Sequence, residues 1–273
     1  MKFKIGFTAE EKKENLAQNV QTEQKPEITP KPSLVTISFP NILKNYSYYN
    51  DRFDLREGDT VFVSGKLENI PGRVVKVSYS FKIKLSDYQR VISVADTDIR
   101  GQLCFSENKI ISFDPNVMPY DKIASWYFPP SDPAEIVCGE DDDTVILLDD
   151  ISTWKAPREL IEYETDFGDG TDVEYLSLDN GVGRAISKDG KHPYTVEFWY
   201  KNGEISRLNC GCYCVGMCEH EVAVLFELRR RLKWIEENYA DEFSKTSCFA
   251  ELDKAMFCNT VLMCRKSGMI QIG

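Results

Sequence analysis

Several common functional signals are missing from this chain of 273 residues. It contains neither the G-x-x-x-x-G-K-[ST] nor the G-x-G-x-x-G pattern, which removes the usual sequence evidence for nucleotide binding. Its longest apolar runs, such as residues 222–226, are far shorter than the roughly 20 residues that span a bilayer, and no basic and apolar leader opens it. We therefore expect a cytoplasmic protein that does not cross a membrane.

A basic excess is missing as well. The 44 Asp and Glu outnumber the 33 Lys and Arg, and the formal net charge is −11. The acidity is concentrated between residues 101 and 180, where 19 acidic residues face four basic ones. The rest of the chain is close to neutral. This distribution is not that of a dedicated duplex nucleic-acid binder, although it is compatible with a local basic face.

Only two histidines are present, and one of them, His220, lies in a cluster of cysteines. The nine cysteines of the chain are grouped rather than evenly spread, which in a reducing compartment favours metal ligation over disulfide bonds. Cys210 and Cys212 form one pair of ligand-type residues, and Cys218 and His220 form a second. Each pair can place both donor atoms about 2.0–2.3 Å from one ion, so the spacing predicts a single structural Cys3His site for Zn²⁺.

An additional cysteine, Cys214, lies between the two pairs and offers an alternative. If Cys212 and Cys214 formed the first pair, only three residues would separate that pair from Cys218. The second pair would then close on the metal less easily. We therefore predict that Cys212 pairs with Cys210.

Composition divides the chain into four segments. Residues 1–33 are rich in Glu, Lys, Gln and Pro, which predicts a disordered tail. Residues 34–128 contain short runs of β-branched and aromatic residues, which predict a small barrel-like all-β domain. Prolines and like charges at 129–150 indicate an acidic linker. Residues 151–273 are predicted to form the zinc-binding domain, and the predicted fold class is α+β, mainly β.

The zinc-binding domain carries clear hairpin signals before its cysteines. Dipeptides that tolerate the positive φ of two-residue turns separate the predicted strands of a β-meander: Asn180-Gly181, Asp189-Gly190 and Asn202-Gly203. After the cysteines, apolar residues at helical spacing predict a helix over roughly residues 219–239.

The order of two strands, Cys-x-Cys, a short loop, Cys-x-His and a helix resembles the SWIM-type zinc finger over about residues 194–235. In this resemblance Cys210 and Cys212 match the first ligand pair, and Cys218 and His220 match the second. SWIM modules occur in proteins that work with DNA or in protein assemblies. The resemblance therefore implies a structural zinc ion and a recognition role.

The N-terminal domain carries a shorter resemblance. The sequences LREGDTVFV at 55–63 and PGRVVKV at 71–77 are similar to the opening of SH3-like and KOW-like barrels. Such barrels often bind proteins or nucleic acid, which implies an aromatic and basic face. Its candidate residues are Tyr46, Tyr48, Tyr49, Phe53, Arg73, Lys76, Lys82 and Lys84. The alternative is that the aromatic residues pack the barrel and the lysines protect strand edges.

No catalytic constellation accompanies these motifs, because assigning His220 to the metal leaves no Cys–His or Ser–His pair. We predict a non-enzymatic module that binds a protein partner. The run Arg229, Arg230 and Arg231 on the helix makes weak, salt-sensitive binding of DNA or RNA the second hypothesis. A metal-dependent enzyme that uses the acidic residues near 141–143, 149–150 and 166–172 is the third, and these residues do not match a calcium-binding EF-hand loop.

Overall fold

The fold is described from a computed structural model of the chain. The described residues are 30–131, 145–168, 170, 172–190, 192–212, 214–261 and 270–272. Most of the predicted N-terminal tail lies outside these residues, and so do positions 132–144 of the predicted acidic linker.

Five antiparallel strands form the first sheet. They are β1 (Ser33–Ser38), β2 (Tyr46–Asn50), β3 (Thr60–Val63), β4 (Gly72–Ser78) and β5 (Val91–Val94), in the order β2-β1-β4-β3-β5. Side chains of a strand alternate between its two faces, and in β1 Val35 and Ile37 are the ones that enter the core. The outer strands approach each other at a bridge between Tyr49 and Arg90. The sheet therefore curls around a single apolar core.

Nine strands form the second sheet. They are β6 (Gly101–Ser106), β7 (Lys109–Ser112), β8 (Ile146–Leu147), β9 (Val173–Asp179), β10 (Val182–Asp189), β11 (His192–Lys201), β12 (Glu204–Cys210), β13 (Cys248–Asp253) and β14 (Ile270–Ile272). Their order is β14-β6-β7-β13-β9-β10-β11-β12-β8. Asn180 and Asn202 have φ of 49° and 51° and are each followed by a glycine with positive φ, as tight hairpin turns between twisted strands require. The consecutive strands β9 to β12 form the predicted meander.

This second sheet takes strands from both sides of the predicted linker. β6 and β7 precede the linker, yet β7 is hydrogen-bonded along β13, which follows it. The same apolar cluster contains Ile110 from the first part of the chain and Tyr175 and Leu252 from the second. The predicted division at 129–150 therefore does not coincide with the edge of the sheet. Whether the predicted segments fold independently stays a prediction.

Helices cover both faces of the second sheet. They are α1 (Tyr120–Ala124), α2 (Arg158–Phe167), α3 (Glu219–Asn238), α4 (Ala240–Thr246) and α5 (Lys254–Thr260). α2, α3 and α4 pack on the face that carries Leu176, and α1 and α5 pack on the face that carries Tyr175. α3 confirms the helix predicted after the cysteines, and its buried Val222, Leu225 and Leu228 pack on the meander. The architecture is α+β and mainly β, as predicted. In the described part of the chain no helix is both long enough and apolar enough to cross a membrane, and this includes α3 with its 20 residues.

Candidate metal centre

The four predicted ligands come together between the end of the meander and the start of α3. Cys210 is the last residue of β12, Cys212 lies in the turn that follows, Cys218 is the N-cap of α3, and His220 lies in its first turn. One ligand atom from each residue lies within 4.8 Å of those of the other three. Cys218 and His220 are buried, and the other two are partly buried. This cluster could hold a metal ion.

The distance between the ligand atoms of the second pair fits a tetrahedral site. The Cys218 Sγ atom lies 3.7 Å from His220 Nδ1. In a tetrahedral zinc site with Zn–S of about 2.3 Å and Zn–N of about 2.05 Å, the corresponding S···N edge is about 3.6 Å. An ion could therefore bind both atoms with little movement of either side chain. The agreement also identifies Nδ1 as the histidine nitrogen that faces the thiols.

Backbone hydrogen bonds hold both ligand pairs in place. The Cys218 amide donates to the Glu221 carboxylate at 2.9 Å, which completes a capping box at the start of α3. At the other pair, the Gly211 amide donates to the Thr195 carbonyl at 2.8 Å. A Cβ atom at position 211 would lie only 3.0 Å from Thr195 Oγ1, so glycine allows the turn to approach β11 this closely. The first pair is thus fixed to the sheet and the second to the helix.

Without a metal, the Cys212 and Cys218 thiols hold their protons more tightly than usual. The neighbouring Cys210 thiol and burial raise the pKa of Cys218, and burial raises the pKa of Cys212. A bound divalent cation replaces these protons, so metal binding must be coupled to proton release. Three thiolates and one Zn²⁺ would leave about one negative charge, and the N-terminal end of α3 is favourably placed to stabilise it.

Cys214 is exposed and does not belong to the group of four ligand atoms. It lines a cleft of about 310 Å³ beside the centre, together with Lys155, Leu208 and Met217. The group of four contains Cys210 with Cys212, the pair that the sequence favoured over Cys212 with Cys214.

Three residues close to His220 were not predicted from the motif as parts of the site. The Tyr194 ring lies against the imidazole, with 4.4 Å between the ring centroids. Carboxylate oxygens of Asp189 and Glu219 lie within 4.8 Å of a ring nitrogen of His220. The strand register explains the position of Tyr194. Val196 pairs with Cys210, so the preceding residues of β11 lie beside the Cys-x-Cys turn.

The arginine run that suggested nucleic-acid binding is engaged in ion pairs. The pairs are Arg229 with Asp149, Arg230 with Glu227, and Arg231 with both Glu227 and Glu251. Arg231 is also buried, with a relative exposure of 3%. Arg231 therefore lies in the interior, whereas the side chains of Arg229 and Arg230 remain 41% and 38% exposed. Of the acidic residues considered for catalysis, Asp149 takes part in one of these pairs, and positions 141–143 lie outside the described residues.

Only some residues of the predicted aromatic and basic face of the first sheet are exposed. Tyr48 is buried in the core and Phe53 packs against it, so neither belongs to a surface. Tyr49 contacts Phe81 edge to face and lies beneath the Arg90 guanidinium, at 5.2 Å from ring centroid to Cζ. The exposed remainder consists of Tyr46 and the lysines at 76, 82 and 84.

Comparison with protein-family models, with curated proteins and with solved structures gives no match to the chain in any of the three. The resemblance to the SWIM-type zinc finger therefore stays a prediction from its motif.

Proposed function

We propose that this chain is a non-enzymatic zinc-binding protein, in which one structural Zn²⁺ held by Cys210, Cys212, Cys218 and His220 organises a SWIM-type module that binds a protein partner. The observation that carries the proposal is the convergence of these four ligand atoms within 4.8 Å. A Cys3His set is typical of structural zinc, because four protein ligands complete the tetrahedron and leave no position for substrate.

The soft thiolate donors support zinc over harder cations. Mg²⁺ and Ca²⁺ prefer oxygen ligands, whereas thiolate and imidazole ligands in a tetrahedral set favour Zn²⁺. The ligands also join the two main elements of the module, β12 and α3. Zinc bound here would fix the helix to the meander, which is a structural role.

An exposed aromatic residue supports a protein as the partner. The side chains of Trp199 and Leu147 are 50% and 43% exposed. They pair with Ser206 and Glu204 of β12, which are two residues apart, so both project from the same face of the sheet. The Arg207 guanidinium lies 5.6 Å from the Trp199 ring centroid. Tryptophan and arginine are among the residue types most enriched in binding hot spots.

The zinc proposal is tested by metal analysis of the purified protein. We expect one equivalent of zinc per chain and no other metal at stoichiometric level. Removal of the metal with a strong chelator should increase amide hydrogen exchange in β11, β12 and the first turns of α3, and re-addition of zinc should restore protection. A protein that binds no zinc, or whose exchange is insensitive to the chelator, would contradict a structural zinc site.

The partner proposal is tested with a matched pair of surface variants. Zinc-loaded wild type, Trp199→Ala and Phe105→Ala are used to capture binding partners from the cells in which the protein is naturally made. Phe105 is a suitable control because it is also an exposed aromatic residue, 41% exposed, under a cation, Lys254. We expect a nuclease-resistant protein partner that Trp199→Ala loses and Phe105→Ala keeps. Captured material that is nucleic acid would exclude the proposal.

A second candidate function is weak binding of single-stranded nucleic acid by the first sheet. Two observations favour it: Lys76, Lys82 and Lys84 are exposed, and Tyr49 and Phe81 of the same region form an aromatic pair. Such binding should weaken steeply with salt, because it would depend on phosphate contacts. Fluorescence anisotropy with labelled single strands measures this binding. The wild type is compared with the double variant Lys82→Glu, Lys84→Glu.

A further inference from the structure

The two nitrogens of the His220 ring have different surroundings. Nδ1 faces the thiols, at 3.7 Å from Cys218 Sγ. Nε2 points away from them and lies 3.9 Å from Glu219 Oε1. The carboxylate of Asp189, at the end of β10, belongs to the same close group as Glu219 and His220.

The Nε2 atom is buried and has no hydrogen-bond partner among the described residues. A buried polar group without a partner is costly, and such groups in folded proteins are nearly always hydrogen-bonded. When one imidazole nitrogen is a metal ligand, the other carries the proton and must donate it. Among the described residues, the Glu219 carboxylate lies 3.9 Å from this atom, and the Asp189 carboxylate belongs to the same close group.

We propose that His220 binds the metal through Nδ1 and donates its Nε2 hydrogen to the carboxylate pair of Asp189 and Glu219, which act as positioning residues for the metal centre. This inference rests on the proposed zinc function. The Glu219 side chain is 61% exposed, so it has room to shorten the 3.9 Å separation to a hydrogen bond. A carboxylate in this position orients the ring, fixes its tautomer and raises the basicity of the coordinating nitrogen.

Tyr194 completes the arrangement. Its ring packs on the imidazole at 4.4 Å between centroids, and its hydroxyl lies near the Asp189 carboxylate. The β10–β11 hairpin thus supplies both a stacking surface and an acceptor for His220. The consequence is that the hairpin belongs to the metal centre, although it contributes no ligand.

The inference is tested first on the unaltered protein. Long-range proton–nitrogen NMR correlations of zinc-loaded wild type report the state of each His220 nitrogen. We expect a metal-bound Nδ1 and a protonated Nε2. A metal-bound Nε2 would overturn the inference while leaving the zinc proposal intact, whereas absence of bound zinc would overturn the zinc proposal and the inference with it.

Variants then test the carboxylates. The double variant Asp189→Ala, Glu219→Ala should weaken zinc binding by about 10- to 100-fold in chelator competition. Asp189→Asn with Glu219→Gln keeps an acceptor oxygen without the charge, and it should recover part of the loss. Glu204→Ala, an exposed carboxylate at the opposite end of β12, is the control and should bind zinc like wild type.

Two results would overturn the role of the carboxylates. One is an Ala double variant with the zinc affinity and His220 spectrum of wild type. The other is a second equivalent of zinc in wild type that the double variant loses, because Asp189, Glu219 and Nε2 would then be ligands of another ion rather than partners of the ring hydrogen.

Discussion

Arg231 in the middle of α3 donates a hydrogen bond from Nε to the Glu251 carboxylate on β13, and both side chains are buried. The second Glu251 oxygen, Oε1, has no hydrogen-bond partner within the described residues. Glu251 pairs on one side with Leu176 of β9 and on the other with Ile111 of β7. The ion pair therefore joins the helix that follows the metal centre to the middle of the nine-stranded sheet.

Replacing Arg231 should strongly destabilise the fold. In Arg231→Met the Glu251 carboxylate would stay buried without its hydrogen-bonded cation, and removing one partner of a buried pair typically costs about 3–5 kcal/mol of unfolding free energy. The control is Arg229→Met, since the pair of Arg229 with Asp149 is exposed and such pairs contribute about 0–1 kcal/mol. Urea denaturation of both variants measures the difference. Equal losses would show that the buried pair does not stabilise the sheet.

The ligand assignment predicts a sharp division among cysteine variants. Cys218→Ser removes a buried ligand and should reduce bound zinc to a small fraction of one equivalent. Cys214→Ser should keep the full equivalent, because this exposed thiol lies outside the group of ligand atoms. Elemental analysis after gel filtration measures both. If Cys214→Ser lost zinc and Cys210→Ser kept it, the first ligand pair would be Cys212 with Cys214.

The hairpin turns and the metal ligands of the module could be predicted from the sequence, because each is encoded by residues that are close together in the chain. The turn dipeptides at Asn180 and Asn202 determine the hairpins, since these positions need a positive φ. The ligand spacing likewise places four donors within a short stretch of chain. Even the pairing of Glu227 with Arg230 and Arg231 follows from their separation by three and four residues on a helix.

The remainder depends on contacts between distant parts of the chain, which leave no local signal. Nothing near β7 in the sequence indicates that it pairs with β13, about 140 residues later. The burial of Arg231 depends on Glu251 in the same way, so the arginine triplet alone gives no sign that its third member is buried. The position of Asp189 beside His220 depends on how far the β10–β11 hairpin extends, which the Asp-Gly turn alone does not determine.

The buried thiol of Cys248 should make the unfolding free energy depend on pH in alkaline solution. Burial, followed by the nearby Asp179 and Asp114, raises the pKa of Cys248 to about 12, compared with about 8.5 in an unfolded chain. The folded state thus holds the proton more tightly. Its contribution to stability is fully present below about pH 8.5 and is lost as the pH rises toward 12, at a slope of about 1.4 kcal/mol per pH unit.

Cys248→Ala removes this titration, so its unfolding free energy should fall less steeply than that of wild type between about pH 9 and 10.5. Cys258→Ala is the control, because it removes a thiol that is exposed in the folded protein. Guanidinium denaturation of the metal-free proteins at several pH values gives the slopes. Parallel slopes for wild type and Cys248→Ala would contradict the raised pKa.

The last prediction concerns the connection between the two halves of the chain. A site for a specific protease, inserted after residue 138, allows the chain to be cut between β7 and β8 after folding. Because β7 is hydrogen-bonded to β13 and Ile110 shares a core with Tyr175 and Leu252, the two fragments should remain associated and elute as one species in gel filtration. They should separate in concentrated urea. The uncut insertion variant is the control for the insertion itself. Two fragments that elute separately, each with the circular dichroism of a folded protein, would show that the predicted segments before and after the acidic linker are independent domains and that the shared sheet does not hold them together.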